Sequence, residues 1–162
     1  GYTHAFQLDA DAQQDPLAIP SFLRAAENHP QALILGYPVF NQRVPSARKW
    51  GRKVTQFWVI INTLSFKIKD ALCGFRIYPL ADIERLLKSQ PRLGSRMDFD
   101  CDIVVQMAWT EQLIVNLPVP IDYPPDGISH FHPIENWYIS KMHARLFLGM
   151  LRYLPKRLGL KK

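Results

Sequence analysis

The sequence predicts an α/β layer structure, on two observations. Short, almost wholly apolar runs such as Ala32-Leu33-Ile34-Leu35-Gly36-Tyr37 have the composition of strands covered on both faces. They alternate with longer segments of helical periodicity, clearest in Trp50, Val54, Phe57, Trp58, Ile61 and Leu64. No internal repeat, low-complexity segment or linker interrupts the alternation, so the elements belong to one layered unit. The length of 162 residues suits a single core, and 48% hydrophobic residues exclude a disordered chain.

In chain order, Tyr2 to Leu8 reads as a strand. Asp15 before Pro16 marks a helix start, an acidic cap ahead of a proline at the first helical position. A short helix follows through Leu17, Phe22, Leu23 and Ala26, weakened in its first turns by Pro20. After the apolar strand over residues 32–37, residues 45–66 form a helix with Pro45 near its start. Gly74 to Tyr78 is a strand and Leu80 to Lys88 a helix. Residues 98–109 form another helix, with Phe99, Ile103, Val104 and Met107 on its inner face. Leu113 to Val119 is a strand ended by Pro118 and Pro120, and Pro124-Pro125-Asp126-Gly127 is a loop. The last helix starts near Pro133 and runs to about Leu154, where Pro155 interrupts it.

Charge is distributed unevenly. Lys and Arg number 20 against 14 Asp and Glu, a formal +6. No acid follows Glu135, while Lys141, Arg145, Arg152, Lys156, Arg157, Lys161 and Lys162 do. Met142, Leu146, Met150 and Leu154 recur every fourth residue among them, which makes a basic amphipathic helix suited to an anionic membrane surface. We expect residues 134–148 to pack on the domain and residues 150–162 to face lipid. Nucleic acid is not an expected partner, because no binding motif accompanies the charge. Cys73 and Cys101 form no CxxC pair, which fits a reducing compartment and argues against a zinc site or a disulfide scaffold, although a single bridge stays open. No signal peptide is expected from this reading, and the sequence holds no apolar run of spanning length. The chain opens inside a strand, Gly1-Tyr2-Thr3-His4-Ala5-Phe6, with His4 in a structural position. The expectation is one partial, N-terminally truncated domain over 1–162, with a catalytic α/β part over 1–133 and the basic helix over 134–162.

The stretch Leu8-Asp9-Ala10-Asp11-Ala12-Gln13-Gln14-Asp15-Pro16 carries the chemistry. Asp9 and Asp11 follow a strand, at the edge where α/β sheets hold ligands. Two carboxylates at i and i+2 can turn toward one hard cation, Mg²⁺ or Mn²⁺, and Gln13 adds a neutral oxygen. Magnesium takes one or two protein carboxylates and leaves its other positions for water and phosphate. Asp15 reads as a helix cap.

With "LDADAQQDP", the segments "KDALCGFRIYPL", "RMDFDCDIVVQMAW" and "NLPVPIDYPPDGISHF" occur in an order that resembles the family 2 glycosyltransferases, in the bacterial branch similar to polyprenyl-phosphate sugar transferases. The resemblance covers nearly the whole chain. It implies a GT-A type nucleotide-diphospho-sugar transferase sandwich and a divalent metal held on the donor diphosphate by Asp9, Asp11 and Gln13. Where many members read "DADGQHDP", Ala12 and Gln14 stand here. "DALCGFR" resembles "DxxSGFR", which makes Asp70 a base or orienting group on the acceptor side, puts Cys73 at the Ser position, and leaves Arg76 between substrate contact and core pairing. "MDFDCD" resembles "FxFDxE", which assigns Asp102 as base and brings Asp100 into the site ahead of Asp98. Arg48 and Arg52 share a helix face and would hold a donor or acceptor phosphate, against the alternative of an exposed basic face. In "DGISHFHP", Ser129 and His130 would cover bound substrate.

The resemblance further implies a nucleotide-sugar donor, a lipid, lipid-phosphate or other envelope acceptor, and a cytoplasmic location, peripheral at the inner face of the cytoplasmic membrane. The strands that would hold the nucleobase lie upstream of Gly1 on this reading, so the chain alone is expected to bind donor poorly. Two rivals stand beside transfer. One is a non-catalytic membrane-surface module that retains the fold. The other is an Asp-nucleophile phosphatase of the haloacid-dehalogenase type, which expects Thr where Gln13 stands.

Overall fold

The computed structural model describes residues 1–11, 13–40, 44, 46–89, 93–122 and 133–157, less the side chains at 47, 48, 133, 156 and 157. It is a mixed α/β fold. Strands β1 (His4–Gln7), β2 (Leu33–Phe40), β3 (Arg76–Pro79) and β4 (Ile114–Ile121) form one sheet in the order β1-β3-β2-β4. β3 runs antiparallel to both its neighbours, and β2 and β4 are parallel. The carboxyl ends of β1, β2 and β4 therefore share an edge with the amino end of β3.

Alternation along the strands divides the core. Ile34, Ile77, Val119 and Ile121 face one side, where α1 (Ile19–Asn28) inserts Phe22 and Ala26. Leu33, Leu35 and Tyr78 face the other, which is covered by α2 (Ser46–Thr63), α3 (Leu80–Ser89), α4 (Phe99–Trp109) and α5 (Pro133–Arg157). Asp15 accepts from the Leu17 N–H at 2.9 Å and caps a 3-10 turn over Pro16–Ala18 that leads into α1, as an acidic cap before proline should. His4 is structural, its Nε2 donating to the Pro30 carbonyl at 2.9 Å. Cys73 and Cys101 are buried free thiols, so the open question of a bridge closes.

Three sequence expectations need correction. β4 runs through Pro118 and Pro120 to Ile121. It pairs with β2 on one side, and Pro120 turns its carbonyl the other way, to the Asp15 N–H, so the missing proline donors fall on the margin and cost the ladder nothing. α4 has no single inner face: every residue from Cys101 to Met107 is buried, because the helix lies beneath the sheet and between its helical neighbours. α5 continues past Pro155 to Arg157, since a proline in a last turn removes little of the hydrogen-bond ladder. Its packed face also reaches further than residue 148, through buried Met150 and Tyr153. Gly149 permits this: a Cβ there would sit 2.5 Å from the Trp109 ring, whose Nε1 donates to the Asn62 carbonyl at 2.8 Å. No described helix is long and apolar enough to cross a membrane.

Candidate active site

The segment Asp70 to Arg76 folds upon itself. Asp70 Oδ1 accepts from the Leu72 N–H at 2.8 Å, opening a tight turn. Arg76, fully buried at the start of β3, gathers the loop from inside: Nε donates to the Cys73 carbonyl at 2.7 Å and Nη2 to the Ala71 carbonyl at 2.8 Å. Its Nη1 donates to the Asp100 carbonyl at 2.8 Å and lies 3.2 Å from Asp100 Oδ1. Arg76 thus has its donors engaged within the chain. Cys73 is buried beside it, its thiol pushed up to about 11 by desolvation, which leaves it inert as a nucleophile.

This loop receives Asp9. Gln7 and Arg76 are register partners, so the residues after β1 arrive beside the residues before β3. A Cβ at Gly74 would overlap the Asp9 carboxylate, and the Gly74 N–H donates to it instead. Glycine is needed here for close approach. On the other side Gln14 Nε2 donates to Asp9 Oδ2 at 2.9 Å, and Gln14 Oε1 accepts from the Asp9 N–H at 3.3 Å. Asp11 is exposed and accepts from the Gln13 N–H at 3.1 Å.

Around Asp9 negative charge exceeds positive. Burial raises its pKa, and the carboxylates of Asp100 and Asp11 raise it further, against a lowering by Arg76. Asp100, in the first turn of α4, faces the end of β1: Gln7 Nε2 donates to its Oδ1 at 2.7 Å, and Tyr78 Oη donates to Gln7 Oε1 at 2.7 Å. Gln7, Tyr78, Arg76 and Asp100 close a ring of side chains directly beneath Asp9. The Tyr78 hydroxyl is held above its usual pKa, chiefly by burial, and so stays a donor.

The other predicted residues fall elsewhere. Asp70 pairs with Arg52 at 2.6 Å, both half-buried, with the Arg52 guanidinium 5.8 Å from the Phe40 ring centre at the end of β2. Asp102 is fully buried: Gln106 donates to Oδ1 at 2.7 Å, the Gly94 N–H to Oδ2 at 2.6 Å, and Arg145 of α5 pairs with Oδ2. It ties α4 to α5. Asp98 turns to its own loop, accepting from the Arg96 N–H at 3.0 Å. The Arg48 side chain, Ser129 and His130 lie outside the described residues. The structure therefore brings together Asp9, Asp11, Asp100 and Arg76, joins Asp70, at the start of the loop that receives Asp9, with Arg52 of α2, and gives Asp102 a separate set of partners.

Sequence reading left out Gln7, Gln14, Gly74 and Tyr78 as site residues. Gln7 carried a signal, as a polar residue on a strand just ahead of two acids. Gln14 carried none, because its role comes from a turn that brings it back onto Asp9. Among the described residues no three His, Cys, Asp or Glu side chains converge as an ion cage. A site built on Asp9 and Asp11 would supply two carboxylates and leave the remaining positions to water and phosphate, which fits Mg²⁺ or Mn²⁺. The surplus of negative charge on Asp9 fits it as well. No protein-family model matches the chain, and no curated protein matches it.

Proposed function

We propose that the chain carries the metal-side and acceptor-side residues of a GT-A type family 2 glycosyltransferase. It would move a sugar from a nucleotide-diphosphate donor to a lipid, lipid-phosphate or other envelope acceptor, at the inner face of the cytoplasmic membrane. The observation that carries the reading is Asp9. Its carboxylate is fixed by the Gly74 N–H and the Gln14 amide at the sheet's carboxyl edge, and it stands in surplus negative charge. A divalent cation held by Asp9 and Asp11 would neutralise charge developing on a leaving diphosphate.

The chain's own residues would divide the remaining work. Asp9 is held rigidly by Gly74 and Gln14, and Asp11 reaches outward to the open side of the ligand. The Gln7–Tyr78–Arg76–Asp100 ring keeps the floor ordered and holds Asp100 beside Arg76. Asp70, at the start of the loop that receives Asp9, and Arg52 of α2, both half-buried, would offer a carboxylate and a guanidinium on the acceptor side. Arg52 suits an acceptor phosphate, and a phosphate acceptor is already nucleophilic and needs little base assistance.

Calorimetric titration with Mn²⁺, alone and with UDP- or GDP-sugars, tests the reading. One Mn²⁺ per chain is expected, with affinity falling at least about tenfold in Asp9→Asn. Absence of Mn²⁺ binding with and without the nucleotide-sugars overturns it.

A further inference from the structure

We infer that the outer faces of α2 and α5 together form a docking surface for an anionic lipid bilayer. This deepens the membrane location in the proposed function and rests on none of its chemistry. The two helices lie side by side in one layer. The Trp58 ring stacks on the His143 ring at 5.9 Å, the Asn62 amide reaches His143 Nδ1 at 3.4 Å, and Val59, Met142 and Leu146 share one core. Both pack their inner faces against α4, so their outer faces point away from the core together.

Those outer faces are apolar where a solvated layer would be polar. On α2, Trp50, Val54 and Phe57 follow each other at helical spacing, with Trp50 66% and Phe57 59% exposed. On α5, Trp137 stands three turns before Leu148 and Leu151 on the same face, with Trp137 65% and Leu148 63% exposed. Exposed large apolar side chains gathered on one face of each helix mark an interaction site.

Charge selects the occupant. α2 contains no acidic residue, and the one acid of α5, Glu135, is 3% exposed and paired with Arg96 at 2.6 Å. The charges these helices expose are therefore basic: Lys49, Lys53, Lys141 and Arg152 rim the apolar stripes. Lys53 Nζ lies 5.4 Å from the Trp50 ring centre, and Ser46, Lys49, Trp50 and Lys53 line a hollow of about 150 Å³. Two ammonium groups and a hydroxyl at that hollow suit a lipid phosphate headgroup. Exposed tryptophans beside lysines suit the boundary between headgroups and acyl chains. A second copy of this chain would bring the same basic rim against itself, so like charge disfavours a homodimer through this face.

Co-sedimentation of the full chain with phosphatidylcholine vesicles, with and without phosphatidylglycerol, tests the proposal and needs no nucleotide-sugar. Binding is expected to require phosphatidylglycerol and to weaken with salt. The double variant Lys49→Gln/Lys53→Gln should bind about 25-fold more weakly, from roughly fivefold per basic residue. Brominated acyl chains should quench the wild-type tryptophan fluorescence more than that of a Trp50→Phe/Trp137→Phe variant. Failure to bind phosphatidylglycerol vesicles, unchanged binding by the lysine variant, or equal quenching of wild type and tryptophan variant overturns the proposal. So does self-association lost in Trp137→Ala/Leu148→Ala without vesicle binding. None of these outcomes touches Mn²⁺ binding at Asp9, so the two readings fail separately.

Discussion

Asp102 and Asp9 are aspartates in similar surroundings with opposite electrostatics. Asp102 is wholly buried and has both oxygens occupied by Gln106, Gly94 and Arg145. Asp9 is half-buried, shares its surroundings with Asp100 and Asp11, and receives neutral amide donors, with the nearest cation, Arg76, paired to Asp100. The first group is complete within the chain, so its chemistry is spent on holding α4 against α5. The second is short of positive charge, and on that shortage the proposed metal site rests. They differ in burial, but it is the balance of charge among the partners that separates their roles.

The largest effect expected from this contrast is on stability at Asp102. Asp102→Ala removes the partner of Arg145 and leaves the Gly94 N–H and the Gln106 amide without their acceptor. A loss of about 3 kcal/mol should appear as a lower urea midpoint at unchanged slope. Gly74→Ala comes next. A methyl group at that position displaces the Asp9 carboxylate, and a loss of about 2 kcal/mol should accompany at least tenfold weaker Mn²⁺ binding. Wild-type Mn²⁺ affinity in Gly74→Ala would show that Asp9 does not need this seat.

A third prediction concerns the interior beside the Asp102 clasp. His143 is held near pKa 4 by burial, below its ordinary 6.5. The folded chain keeps it neutral, while the unfolded chain protonates it below about 6.5, so the unfolded state binds more protons in that window. Its contribution is therefore present above pH 6.5 and is lost as pH falls toward 4. Urea titrations at several pH values should show this slope in the wild type and a flatter one in His143→Leu. The smallest effect on stability is expected at Asp9 itself. Asp9→Asn relieves repulsion from Asp100 and Asp11, so stability should stay within about 1 kcal/mol of wild type, or rise, while Mn²⁺ binding falls. A loss as large as that of Asp102→Ala would erase the distinction between the two aspartates.

Much of the architecture is legible in the sequence because it is written in local periodicity. The apolar run at 32–37, the helical stripe from Trp50 to Leu64 and the cap at Asp15 each report their own element. What is not legible depends on neighbours in space. The buried circumference of α4 follows from being packed on every side, and its sequence looks like one face of a helix with ordinary interruptions. β4 tolerates its prolines because the strand is marginal, which no local pattern reveals. At the site, the spacing of Asp9 and Asp11 was visible, but the ring of Gln7, Tyr78, Arg76 and Asp100 required the register of β1 on β3. Arg76 is the instructive case: a guanidinium after glycine and phenylalanine could serve a ligand or the fold, and its four carbonyl and hydroxyl partners assign it to the fold.

The segment that bears the acids has one further property. It leaves β1 at one margin of the sheet and reaches the other margin at Gln14, which bridges to Ile121, flanked by the Asp15 N–H on the Pro120 carbonyl and the Asp122 N–H on the Gln13 carbonyl. Like a rope moored at two quays, it has its span set by the strands beneath it. At the proposed metal site an ion would meet a strap moored at both ends, so its capture would draw on heat of contact more than on the freezing of a wandering segment.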